Sequence, residues 1–365
     1  MNRQFSLYLD FLRWVAAAAV LVRHGTAPRF TGGVMPQFEY GHEAVLVFFV
    51  LSGYVISYVS REREKSPGTF LFKRLSRVYS VLIPAVVVSV IADSLGTWLN
   101  PSFYAGVASV WSVTDIVSTL LLLGENWTRH VYLGSNGVIW SLHYEVWYYL
   151  LFATLAFGGR FRYPLFLVAA ILAGPRILAL LPCWAFGVAA QRLPPGPIRK
   201  SGWLTLLTAG LSLAWIVTEP LKGWDMRSLF GIPLEGSSLF ANDTVLALLI
   251  SVHLIFVRAY FAEPRDWMAL VPQPLRAFSA RVIAQGAGTS FTLYMFHLPL
   301  LFLCGAALRF PLGSSWSVWG LMVFVYALCH GAGMVIEPRK SMIYDRLVFW
   351  FPRAAAPRKG AGTPT

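Results

Sequence analysis

The chain has 365 residues, of which 56% are hydrophobic and only 13% charged, against about 25% charged in an ordinary soluble domain. That balance excludes a single water-soluble core, because most of the chain must be solvated by lipid. The net charge of +13 does not indicate nucleic acid, since the cations fall between apolar runs, the positive-inside pattern of membrane proteins.

Runs near the length of about 20 residues needed to cross a bilayer recur from end to end. They are continuous rather than alternating, which predicts helices and not a barrel. Spans are expected at about 8–27, 42–59, 78–98, 138–157, 163–174, 177–191, 203–218, 243–261, 288–309 and 315–336. The fold class is therefore all-α, a polytopic bundle of about ten membrane helices with both termini cytoplasmic.

The first run begins like a signal peptide, but Asp10 and Arg13 interrupt its apolar centre and more spans follow, so it is read as an uncleaved helix. Arg13 and His24 are 11 residues apart. At about 1.5 Å and 100° per residue they share one face about 16 Å apart, arginine at the cytoplasmic end and histidine at the outer end. Ionisable groups in a membrane helix are functional candidates. The span between them matches an extended phosphopantetheine arm, with a cation at the phosphate end and a base near the thioester. A snorkelling arginine and a boundary histidine would also explain the pair.

The second run, opened by His42 and Glu43 at the outer mouth, carries Ser52 and Gly53, small residues that let helices approach. The basic string that follows places Arg74 and Arg77 three apart on one cytoplasmic helix face, suited to a phosphate and equally to anchoring. The segment around Asp115 is too polar for a good span and is read as interfacial or re-entrant. The run from Trp140 contains Glu145, a lone carboxylate that needs a partner, with Trp140 and Tyr144 as aromatic platforms for a sugar. Gly174-Pro175 is either a turn between two short helices or a kink in one. Residues 193–197, Leu-Pro-Pro-Gly-Pro, form the clearest linker. Tyr294 and His297 lie one turn apart in the ninth span. Cys183, Cys304 and Cys329 share no metal-type spacing, so no metal is expected.

Charge orients the spans. With ten, Lys and Arg divide 21 inside to five outside; merging at Gly174-Pro175 gives nine spans and 11 inside to 14 outside. An alternative ten, with the 115–123 stretch crossing and one kinked helix, gives 20 to five, which leaves the middle of the chain open.

Taken in order, five strings resemble the membrane-bound acyltransferase family 3, which includes bacterial O-antigen and exopolysaccharide O-acetyltransferases. They are the Leu-Asp-x-Leu/Phe-Arg opening with Arg13 ten residues ahead of His24, Phe-Phe-Val-Leu-Ser-Gly-Tyr-Val-Ile at 48–56, Lys-Arg-Leu-Ser-Arg-Val-Tyr at 73–79, Trp-Ser-Leu-x-x-Glu at 140–145 and Tyr-x-x-His at 294–297. The resemblance reaches about residue 337, giving a transmembrane domain at 1–337 and a short basic cytoplasmic tail at 338–365, disordered beyond about 352. It implies an integral protein of the bacterial inner membrane that moves an acyl group, most often acetyl, from cytoplasmic acyl-CoA to a hydroxyl of an extracytoplasmic glycan or related envelope molecule. Acyl-CoA is then a co-substrate and no cofactor is permanently bound.

On that resemblance His24 is the catalytic base, with an acyl-histidine as the rival route, and Arg13, Arg74 and Arg77 hold the donor. Glu145 is expected to orient His24, and Trp140, Tyr144, His42 and Glu43 to line the acceptor path. Asp10, Ser52, Tyr294 and His297 are secondary candidates. Glu43 departs from the Asp or Gly often found there. The esterase-like domain frequent in the family is not in this sequence, which suits action alone, as a homo-oligomer, or with a separate acyl-accepting protein. A secondary exporter of a glycan or lipid intermediate is the competing class, but it would show two related halves with broken helices, and Gly174-Pro175 has no counterpart. Acylation of a small-molecule scaffold is the other alternative.

Overall fold

The apolar runs fold as helices because lipid leaves backbone N–H and C=O groups no partner but each other. The computed structural model describes residues 1–64, 66–107, 111–193, 202–229, 231–262, 272–308 and 314–352. The Pro-Pro-Gly-Pro linker at 194–197 and the tail beyond residue 352 lie outside the described residues. Every expected span coincides with a helix: α1 Arg3–Gly25, α2 Gly41–Glu62, α3 Pro67–Leu99, α4 Trp140–Phe157, α5 Arg162–Ala173, α6 Leu181–Arg192, α7 Gly202–Thr218, α8 Phe240–Tyr260, then α9 Gln273–Gly288, α10 Ser290–Ala307, α11 Ser315–Ile336 and α12 Lys340–Trp350. Six helical stretches, namely α1, α2, α3, α8, α10 and the continuous 315–350, are long and apolar enough to cross a membrane. Among the described residues strand is confined to a two-residue hairpin, Ser228–Leu229 with Ile232–Pro233. The molecule is an all-α polytopic membrane helix bundle.

Local chemistry starts and stops these helices. Asn2 caps α1 by accepting from the Gln4 amide, and Ser66 caps α3 by accepting from Thr69, with Pro67 in the first turn where its missing N–H costs nothing. At 33 residues, α3 is about 50 Å long, well beyond the hydrocarbon, so its basic first third stands outside it. Ile83, Val87 and Ile91 form an exposed stripe at helical spacing on α3, the pattern of a lipid-facing surface.

The chain breaks at Gly174 rather than kinking there. Gly174 has φ +85°, which only glycine adopts without strain, and Pro175 opens a separate turn. Helix α5 then packs on α4 while α6 packs on α2. The stretch at 113–120 is an eight-residue helix with a Ser112/Asp115 capping box, about 12 Å long and too short to cross. Helices α9 and α12 were not expected. The latter packs back on α3, where Phe351 just past its end meets Phe72 at 6.2 Å between ring centroids.

Backbone contact between α2 and α6 is the closest in the bundle. A Cβ at Gly53 would strike the Trp184 carbonyl, and one at Gly187 the Val50 carbonyl, so each glycine serves as the small residue of a tight interface. Gly53 thus accounts for the small pair in α2, while its neighbour Ser52 points elsewhere. Helix α10 forms the centre of the bundle, packed against α1, α3 and α11.

Candidate functional site

Helix α1 buries Ala16, Ala17 and Val20 against α2 and α10, which aims Arg13 into one cavity and His24 into another. The arginine cavity is also lined by Ser52, Arg77, Glu145 and Tyr149, and is narrow, about 60 Å³. The histidine cavity, about 630 Å³, is lined by His42, His130, Trp140 and Glu235 among others. Val45 and Tyr294 line both, so the two cavities meet end to end at these side chains. The Tyr294 hydroxyl is held there by Ser141 Oγ at 2.7 Å and the Val138 carbonyl at 3.2 Å.

At the histidine end, His24 Nδ1 lies 2.9 Å from His297 Nε2. His297 Nδ1 lies 2.9 Å from the Leu293 carbonyl, which can only accept. Nδ1 of His297 therefore carries the proton, and its Nε2, with both rings neutral, must accept from His24 Nδ1–H. This leaves the lone pair of His24 on Nε2, the form a general base or a nucleophile needs. Pro299 helps to set the register of α10. Lacking an N–H, it frees the Met295 carbonyl, which accepts from Asn136 Nδ2 at 3.0 Å.

Glu145 is not beside His24. It accepts from Ser52 Oγ at 2.8 Å and from the Tyr149 hydroxyl one turn along its own helix, and it lines the arginine cavity. The expected Glu145–His24 pairing therefore does not form, because Glu145 lies a turn and a half below the outer end of α4. The partner of His24 is His297. Ser52 links two helices in this cluster, accepting from Trp184 Nε1 at 3.2 Å while donating to Glu145.

The arginines divide. Arg13 pairs with Asp10 at 3.6 Å and lies in electrostatic range of Arg77 and Glu145. Arg77 has its guanidinium 5.9 Å from the Phe291 ring and no ion pair among the described residues. Arg74, expected to act with it, is instead paired with buried Glu64 and stacked over Phe70 at 5.3 Å. It still borders the cavity, but its charge is committed.

Elsewhere in the histidine cavity, His42 Nε2 lies 2.9 Å from Asp243 Oδ2 and its ring stacks on Trp140 at 6.3 Å and 12°. Tyr144 is fully buried, its hydroxyl 3.0 Å from Ser237 Oγ. Glu43 is buried, with Oε2 unpartnered among the described residues. Tyr144 and Glu43, expected on the acceptor path, line neither of the two cavities. Tyr144 turns inward at the α2–α4 interface, where Phe49 stacks on it.

Several lining residues had no signal in the sequence. His130 bridges Glu125 Oε1 at 2.7 Å and Glu235 Oε2 at 2.9 Å, and Glu125 also pairs with the fully buried Arg176 at 3.1 Å. Glu235 is held at φ +28°, a strained backbone for a non-glycine residue of the kind that collects at functional sites. These groups sit in polar loops between spans, where charge is the default. Asp243 was legible as a carboxylate at the edge of a span, and only the fold shows it facing His42.

A family model described as an acyltransferase domain matches residues 6–334. Among curated proteins, the chain is 33% identical over 153 residues to "Acyltransferase MdmB" of Streptomyces mycarofaciens, covering 40% of this chain and 37% of that protein. It is 32% identical over 151 residues to "O-acetyl transferase" of Shigella phage Sf6, covering 39% of this chain and 43% of that protein. The matched stretches span less than half of either relative. No solved structure matches the chain significantly.

Proposed function

The chain belongs to this acyltransferase family, and from that premise we propose that it is a membrane O-acyltransferase using cytoplasmic acyl-CoA, with acetyl as the simplest group. The acceptor is a hydroxyl of an extracytoplasmic glycan or related envelope molecule at the bacterial inner membrane. The observation that carries the reading is the His24–His297 pair, which leaves a basic nitrogen on a ring lining the outer cavity, three helical turns from the cations of a second cavity that abuts the first.

The donor enters from the arginine end. Arg77, free of an ion pair among the described residues, and Arg13 meet the CoA phosphates, for which guanidinium geometry is suited. Glu145, with Ser52 and Tyr149, offers oxygen acceptors to the amide N–H groups of the pantetheine arm. Since the cavity is narrow, the arm parts these side chains as it enters. Its thioester reaches the Val45–Tyr294 junction.

His24 Nε2 removes the proton of the acceptor hydroxyl as its oxygen attacks the thioester carbonyl. A C–O bond forms and the C–S bond breaks. The imidazolium returns the proton to the departing sulfur, so free CoA thiol and the ester leave on opposite sides. His297 accepts from His24 Nδ1–H throughout and holds the ring in place.

The test is thiol release from acetyl-CoA by the purified protein in lipid discs, with a panel of hydroxyl acceptors. His24→Ala should bind acyl-CoA and transfer nothing. Transfer by that variant near the parent rate would overturn the assignment. Movement of an acceptor across vesicles without thiol release would favour an exporter.

A further inference from the structure

His24 lines a third cavity as well. This chamber, about 450 Å³, shares His24, Tyr132, Gly137 and Leu298 with the outer cavity already described, so the imidazole stands at a seam between two outer chambers of different character. The first is polar: its wall carries the half-exposed Glu235 carboxylate, which keeps acceptor capacity beside its His130 contact, and His42 stacked on Trp140. The second is walled by Ala27, Phe30, Val107, Leu298 and Phe302.

Of the polar side chains that border only the second chamber, Ser135 and Arg29, both are engaged with protein; His24 and Tyr132 are shared with the first. Ser135 Oγ donates to Asp93 at 2.6 Å. Arg29 donates to the Phe103 carbonyl at 2.6 Å and the Ala105 carbonyl at 3.3 Å, with its guanidinium 5.5 Å from the Phe302 ring. What the second chamber adds for a ligand is mainly carbon surface. A hydroxyl reaching His24 can therefore extend its substituents into both chambers.

We propose that the acceptor is an amphiphile whose reacting hydroxyl belongs to a polar, hydroxyl-rich head, with an apolar body seated between Phe30, Leu298 and Phe302. This rests on acyl transfer at His24 and adds to it the class of acceptor. Each methylene seated in the chamber strengthens binding about fourfold. An octyl chain therefore improves half-saturation by at least about tenfold over methyl on the same head, even if most of it stays outside.

The experiment reads binding without the donor. Octyl β-D-glucoside carrying a diazirine on the alkyl chain is photolysed with the full chain in lipid discs, and the labelled residues are mapped by mass spectrometry. The expected result is labelling at Leu298, Phe302 or Phe30, suppressed by Val107→Trp, a loop substitution that fills the chamber from its rim. Labelling confined to lipid-facing positions such as Ile83 and Val87, or unchanged by Val107→Trp, overturns the proposal. A hexadecyl probe delivered in the bilayer separates the two sources of such a body: labelling by it alone indicates a lipid anchor, labelling by the octyl probe from water a free amphiphile. Because no acyl-CoA is present, failure here leaves the His24→Ala thiol-release test standing, and the reverse.

Discussion

Replacing His297 separates a catalytic pair from a packing contact. In the parent, His24 Nδ1–H donates to His297 Nε2 at 2.9 Å, and that bond fixes which nitrogen of His24 stays basic. In His297→Ala the half-buried His24 donor loses an acceptor that is itself fully buried, a loss of about 1–3 kcal/mol. If that energy holds His24 in its productive tautomer and orientation, kcat falls about 10- to 100-fold at about 1.4 kcal/mol per decade, while half-saturation by acyl-CoA is unchanged. Glutamine can place an oxygen near the Nε2 position and accept from the same N–H, so His297→Gln should recover most of the rate. The assay is thiol release at saturating acetyl-CoA in lipid discs, with thermal unfolding measured beside it to register the lost side-chain volume. A His297→Ala rate within twofold of the parent would refute the argument, as would a change in half-saturation alone. So would a His297→Gln protein that folds like the parent and is as slow as His297→Ala.

Arg77→Ala should raise half-saturating acyl-CoA about tenfold or more, the worth of a charge-assisted contact, with kcat little changed; unchanged affinity would return Arg77 to a headgroup anchor. Arg74→Ala should act mainly on stability, because it leaves the buried Glu64 carboxylate with Lys73 at 3.5 Å as its remaining cation among the described residues; thermal unfolding in detergent reads it. Gly53→Ala forces a methyl into the Trp184 carbonyl and should cost about 1–3 kcal/mol, whereas Gly210→Ala, with nothing within 4 Å, should leave the unfolding temperature alone. Equal effects of the two glycine substitutions would contradict the close α2–α6 contact. Tyr149→Phe removes one donor from Glu145 and should alter the response to acyl-CoA before it alters the response to acceptor.

Periodicity was enough to place the ten expected spans, because a membrane span is a local property of about 20 residues, though α9 and α12 were missed. The Gly174-Pro175 break was only half legible, since Gly-Pro suits a turn or a kink and the charge count left both open; the φ of +85° decides it. Partnerships were not legible. Arg74 and Arg77 look equivalent on a helix wheel, and only the return of Glu64 on the preceding turn commits one and leaves the other free. Glu145 was read against His24 because both are buried ionisable groups, yet their depths depend on where Trp140 begins its helix relative to the end of α1. The His24–His297 contact joins residues 273 apart, a separation over which spacing carries no information.

The junction at Val45 and Tyr294 has a consequence for the membrane as an insulator. An acyl donor on one side and an acceptor on the other need a route for two carbon atoms, and a water-filled route of that length would short-circuit the proton gradient. Here the two cavities are separated by about one side chain, a phenol tethered to Ser141 and to the Val138 carbonyl. Catalysis would then be the only form of permeation on offer: the carbonyl crosses as a reacting bond, never as a solute. Tyr294→Gly should expose this by making proteoliposomes leaky to protons, and an acetyl-CoA held at the junction should restore the seal.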